Sequence, residues 1–213
     1  TAEVDTIKQY APTGLIDGIT TNPSLLSKVG GNPLEIVKQI THLLPHGDIS
    51  VEITYKEPAE IYAQAKKIAA IADNVVVKIP CHQDYYPVIH KLVQDGIRLN
   101  ITLIFSLSQA LMMCKLGVDY ISLIVGRLDD VNSDGIAVAN DIAMMLNQYG
   151  FETQLLLASI RSLARAQDAI STGADAMTIP PAVLEAMMKH SLTDRGIAVF
   201  DADWQKLGVK QFP

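Results

Sequence analysis

Short apolar runs alternate along the chain with longer stretches in which apolar residues recur every three or four positions. The runs occupy residues 18–22, 49–54, 75–80, 99–105, 120–126, 154–159 and 176–180. They are rich in β-branched residues and bounded by Gly, Pro, Asn or Ser, the mark of strands. Between them, Ile61, Ala65, Ile68 and Ala72 make one helical stripe. Ala139, Ile142, Ala143 and Leu146 make another, stopped at Gly150. Residues 2–10 also read as helix. Strand–helix alternation without hairpin turns predicts a parallel sheet covered by helices.

Seven parallel strands leave two open edges, which an eighth would close. The expected fold is therefore α/β, a (β/α)8 TIM barrel, with a first strand preceding Thr1. A single barrel domain is expected over residues 1–213. Residues 197–207, with Phe200 and Trp204 four apart on one face, form an additional C-terminal helix. An open doubly wound sheet is the alternative, but its usual Gly-rich phosphate turn does not follow the first run.

Composition narrows the functions. The chain has 213 residues, 49% hydrophobic and 19% charged, with a net charge of −6. That balance suits one globular domain and argues against nucleic acid or anionic membrane as a partner. It leaves room for a small anionic substrate held by a few arginines. Cys81 and Cys114 lack the number for a disulfide framework and the spacing for a metal. His42 and His46 are separated by Pro45 and have no third ligand nearby, so no metal is expected. With no apolar run long enough for a bilayer and no basic-then-apolar leader, the expected compartment is the cytoplasm.

The chemistry is carried by polar residues set inside apolar strands, because burying them unpaired is costly. Lys78 sits in VVVKIP. It is either a snorkelling or ion-paired lysine, or a nucleophile, since desolvation favours the neutral amine that attacks a ketone. Glu52, in ISVEIT, is its counter-ion or a general acid/base. Asn100 and Thr102 alternate in LNITLIF and share a face. Asn22 closes the first run before Pro23, as a turn residue or a sugar contact. Arg127, Ser159 and Arg161 stand at the ends of two later runs, where a phosphate clamp sits in a barrel of this kind. Asp129 and Asp130 read as loop and helix-start residues.

The segments DGITTNPSLL, VEIT, ADNVVVKIP, LNITLIFSLSQAL, ISLIVGRLDD, LLASIR, ADAMTIPP and HSLTDRGI occur in that order. Over nearly its full length the chain thereby resembles the short-chain bacterial transaldolases and the related fructose-6-phosphate aldolases. The resemblance implies that Lys78 is a Schiff-base lysine and that Glu52 is the acid/base, working through a water that Thr102 helps hold. It implies that Asn22, Asn100 and Ser122 contact the hydroxyls of a bound three-carbon unit, and that Arg127, Ser159 and Arg161 take the phosphate. It further implies an aspartate on a first strand just before Thr1, phosphorylated sugars as partners, no cofactor, and a homo-oligomer, pentamer or decamer.

Two positions bear on reaction type. Glu52 is retained as in transaldolases, where the aldolase branch carries Gln. Ile124 replaces the Tyr of the aldolases and the usual Phe of the transaldolases, and Leu123 replaces a usual Pro. The expected activity is class I transfer of a dihydroxyacetone unit from fructose 6-phosphate or sedoheptulose 7-phosphate to an aldose phosphate. The alternatives are a lyase releasing free dihydroxyacetone, a phosphosugar isomerase in which Lys78 acts only by its charge, and a non-catalytic phosphosugar-binding barrel.

Overall fold

The computed structural model describes residues 1–210. Seven strands run parallel in chain order: β1 (Gly18–Thr20), β2 (Asp48–Glu52), β3 (Val75–Pro80), β4 (Leu99–Ile104), β5 (Tyr120–Ile124), β6 (Gln154–Ala158) and β7 (Ala176–Met177). The helices are α1 (Val4–Tyr10), α2 (Pro23–Val29), α3 (Pro33–Leu43), α4 (Pro58–Ala69), α5 (Tyr86–Gln94), α6 (Leu107–Leu116), α7 (Val125–Asp130), α8 (Gly135–Tyr149), α9 (Leu163–Ile170), α10 (Pro181–Met187) and α11 (Ser191–Lys206). The sheet curls into an incomplete α/β barrel. Thr20, at the end of β1, and Thr178, just past β7, come close enough for their hydroxyls to share a hydrogen bond of 2.7 Å.

Every predicted strand is present, and all but β3 end one to three residues earlier than the apolar pattern suggests. β1 stops at Thr20 because Asn22 turns to cap α2. β5 stops at Ile124 because Val125 and Gly126 begin α7, a change that a continuous apolar run does not announce. β7 shrinks to two residues. The helix starts are better marked. Pro occupies the first position of α2, α3, α4 and α10, where its missing N–H costs no helical bond. α8 is capped by the Asp134 carboxylate, which accepts from Ile136 N and Ala137 N, and ends at Gly150 with φ 65°.

The two faces of the sheet differ in kind. Outward-facing Ile49, Val77, Ile79, Leu99, Ile101, Ile121, Leu123, Leu155 and Leu157 are fully buried beneath the helices. Burying a side chain of that size contributes roughly 1.5–3 kcal/mol relative to exposure, so this layer dominates the stability. The inward face instead carries Ser50, Lys78, Asn100, Thr102 and Ser122, all buried. Parallel register puts Glu52 beside Lys78, and Lys78 beside Asn100, on one side of the sheet.

No ladder joins β1 to β7 among the described residues. The two edges, with Ile7 and Tyr10 of α1 and Pro181 and Leu184 of α10, line a cavity of about 740 Å³. In a closed barrel an eighth strand occupies this place. The predicted C-terminal helix is α11, which starts six residues earlier and ends one residue sooner than expected, has no buried residue and leaves Ile197, Val199 and Phe200 more than half exposed.

Candidate active site

The inward face of β2–β5 builds the centre of the site. Lys78 is 8% exposed, and its Nζ lies 3.0 Å from Glu52 Oε2 in an ion pair and donates to the Thr21 carbonyl at 3.3 Å. Thr21 is itself fully buried and donates its hydroxyl to the Ser50 carbonyl. The amine is thus held at the C-terminal end of the strands between a carboxylate and a carbonyl. This contact sets a carboxylate oxygen directly beside the lysine nitrogen. Of the two readings of Lys78, the ion-paired one is what the structure displays.

A polar chain crosses the lumen beside this pair. The Ser122 hydroxyl donates to Asn100 Oδ1 at 2.6 Å, and Asn100 Nδ2 donates to Ser50 Oγ at 3.0 Å. These bonds fix the Asn100 amide plane in a fully buried position, where an unpaired amide would cost several kcal/mol. Thr102 lies one layer higher, opposite Pro80 and 2% exposed. Directly after it the backbone is irregular. The β4–β5 register shifts between Ile101 and Ile104, and Leu103 has φ 57°, an uncommon conformation for a branched side chain. The bulge packs Leu103 against Ile124, Leu156 and Ala158, giving the lumen one apolar wall.

The remaining predicted residues lie at the rim. Asn22 caps α2, its carboxamide oxygen accepting from Leu25 N at 2.8 Å, so any sugar contact falls to its amide nitrogen. Arg127 is exposed on α7. Ser159 follows β6 with φ 63°, and its hydroxyl accepts from Arg161 Nε at 3.2 Å. Gly126 makes this approach possible. A Cβ there would lie 2.3 Å from the Ser159 carbonyl oxygen and 2.7 Å from its hydroxyl. Arg127, Ser159 and Arg161 thus gather around the α7 end of the barrel, apart from the Lys78 amine but on the same rim.

Several residues around the site escape a sequence reading. Asp129 and Asp130 are not loop residues; they end α7, and each grips an arginine. Asp129 binds Arg165 through Nε and a terminal nitrogen, at 3.1 and 3.2 Å. Asp130 takes both terminal nitrogens of Arg161, at 2.7 and 3.0 Å. At the opposite end of the lumen, Asp48 receives two hydrogen bonds from Arg98 and one from the Tyr120 hydroxyl. Burial pushes the Asp48 carboxyl up, but the Arg98 and Tyr120 hydrogen bonds outweigh it and hold the group below the usual carboxylate range. Tyr120 is pushed up to about 12, first by burial and then by its bond to Asp48. Charged residues at strand starts are ordinary in a sequence. Only the curl of the sheet brings Asp48 of β2 to Arg98 and Tyr120 two and three strands away.

Comparison with known proteins gives the family. The family described as transaldolase/fructose-6-phosphate aldolase matches residues 1–210. A probable transaldolase of Dehalococcoides mccartyi is 47% identical over 208 residues, covering 97% of this chain and 96% of that protein. One from Maricaulis maris is 45% identical over 208 residues, covering 98% and 95%. One from a Ruegeria species is 43% identical over 210, covering 99% and 96%. Among solved structures, a mandelate oxidase variant with an FMN adduct superposes with a TM-score of 0.59 at 11% identity. That match covers 84% of this chain and 59% of the oxidase. At such low identity it speaks for the fold alone. Matched from Thr1 to Lys210, and nearly half identical to relatives of its own length, the chain belongs to the transaldolase/fructose-6-phosphate aldolase family.

Proposed function

We propose that this chain transfers a dihydroxyacetone unit between phosphorylated sugars through a Schiff base on Lys78. The observation that carries the reading is a buried lysine amine in direct contact with a carboxylate inside a parallel barrel. Glu52 accepts the ammonium proton, and the freed lone pair attacks the C2 carbonyl of fructose 6-phosphate or sedoheptulose 7-phosphate. The carbonyl oxygen takes one proton from the attacking amine and one back from Glu52 and leaves as water, so an iminium remains and Glu52 is again a carboxylate. Glu52, working through a water that Thr102 helps hold, then takes the proton of the C4 hydroxyl. The C3–C4 bond breaks, its electron pair enters the iminium, and an aldose phosphate departs. The enamine left on Lys78 adds to a second aldose phosphate by the reverse steps, and hydrolysis frees the new ketose.

In this scheme Asn22, Asn100 and Ser122 contact the hydroxyls of the three-carbon unit, while Arg127, Ser159 and Arg161 hold the phosphate. The scheme calls for no cofactor. Transfer is favoured over release by the apolar wall of Leu103, Ile124 and Ala158, since Ile124 has no hydroxyl with which to protonate the enamine. A strand carrying a further aspartate would fit between β1 and β7. The exposed apolar face of α11 suits contact with a second copy of the chain, as a pentamer or decamer of single-domain barrels. A cytoplasmic setting accords with the free Cys81 and Cys114.

The test is product analysis with fructose 6-phosphate. Turnover that requires an added aldose phosphate supports transfer. Free dihydroxyacetone accumulating at the same rate without an acceptor makes the protein a lyase, and binding without turnover makes it a phosphosugar-binding barrel.

A further inference from the structure

Asp130 stands next to the phosphate clamp, and nothing in the catalytic scheme uses it. Its carboxylate takes Arg161 by both terminal nitrogens, while Arg161 Nε is turned to Ser159 Oγ. A guanidinium offers five N–H groups on a rigid plane. Two go to Asp130, one goes to Ser159, and the plane cannot rotate without breaking all three. Ser159, having accepted from Arg161, is left with its own O–H to donate. With the Nε hydrogen spent on Ser159, the Nε edge still offers the second hydrogen of its terminal nitrogen beside the Ser159 O–H, and an anion can be received there without displacing Asp130.

The pair is exposed, with the two side chains 55% and 52% accessible, so its own contribution to folding is small. Its geometry is nonetheless that of a two-point grip, the arrangement that gives direction as well as attraction. Arg127 also lies within the field of Asp130, which is held below the usual carboxylate range first by its hydrogen bonds to Arg161. One carboxylate thus grips Arg161 directly and lies within the field of Arg127. Asp129 is occupied with Arg165 and cannot substitute.

We propose that Asp130 is a positioning residue that locks Arg161 with its Nε edge and the Ser159 hydroxyl facing one point, and so sets the preference for phosphorylated over unphosphorylated sugars. This rests on the Schiff-base reading above, and the experiment separates the two. Borohydride trapping is measured on the full chain against increasing fructose 6-phosphate, and against dihydroxyacetone, which has no phosphate. In Asp130→Ala the half-saturating concentration of fructose 6-phosphate should rise about five-fold more than that of dihydroxyacetone. If the variant is not recovered folded, the nearly isosteric Asp130→Asn is measured in the same way. Equal shifts for both sugars, or a lower half-saturating fructose 6-phosphate, would show that the aspartate is merely structural or competes with phosphate. Either result overturns the inference and leaves the Schiff base standing. Absence of any adduct in the unaltered chain overturns both.

Discussion

β2 carries two carboxylates on its inward face, Asp48 at its start and Glu52 at its end, and each meets a cation. Asp48 meets Arg98 in a two-point contact reinforced by the Tyr120 hydroxyl. Glu52 meets Lys78 at one point, 3.0 Å away. An arginine does not give up its proton in a protein, and its planar fork fits a carboxylate edge-on. The Asp48 cluster is therefore a fixed floor. A lysine is a point charge on a flexible stem that can release a proton and bond to carbon. Two ion pairs four residues apart on one strand thus serve opposite ends, and the identity of the cation decides which is which.

The comparison is broken most severely by exchanging the cations. Lys78→Arg keeps the positive charge beside Glu52 but removes the proposed nucleophile. Turnover of fructose 6-phosphate with an aldose phosphate should fall at least about a thousandfold in a coupled assay. A fall of less than tenfold would mean that charge alone suffices. Next comes Glu52→Gln, which keeps the shape and removes the proton acceptor. It should lower kcat about a hundredfold, the lower end of what a general base contributes.

The floor should respond in stability rather than in rate. Asp48→Ala leaves Arg98 without its main partner in a site that is about one-third open to solvent, so urea unfolding should report a loss of about 2 kcal/mol. The kcat of the folded fraction should change less than two-fold. Because the Asp48 carboxyl is depressed in the folded chain, its contribution is complete above the unfolded carboxylate pKa near 4 and fades as pH falls through the folded value.

The smallest effect is that of Tyr120→Phe, about 1 kcal/mol for one hydrogen bond to a partly buried carboxylate. Its pH signature is sharper than its size. A phenol raised to about 12 stabilises the fold fully below pH 10, and that contribution is lost as pH rises towards 12. An ultraviolet titration should show a late tyrosine component that is missing in the variant.

The outward layer was readable from the sequence because dry strands between helices leave unbroken Val, Ile and Leu runs. Lys78 and Glu52 were readable for the converse reason, as charges where the pattern demands none. Alternation also placed Asn100 and Thr102 on one face. The floor was not readable, since Asp48 and Arg98 lie at strand starts, and their contact passes over β3 through the curve of the sheet. Asp130 was misread as loop because Val125 extends the apolar run of β5, hiding the turn into α7. Ser122 entered through family resemblance rather than pattern, and its bond to Asn100 gives the physical reason for its place.

The central claim is tested most directly by borohydride reduction in the presence of fructose 6-phosphate, followed by peptide mapping. The account predicts one three-carbon adduct per chain, on the peptide containing Lys78, and none in Lys78→Arg. An adduct on another lysine, or full turnover with no reducible intermediate, would contradict it.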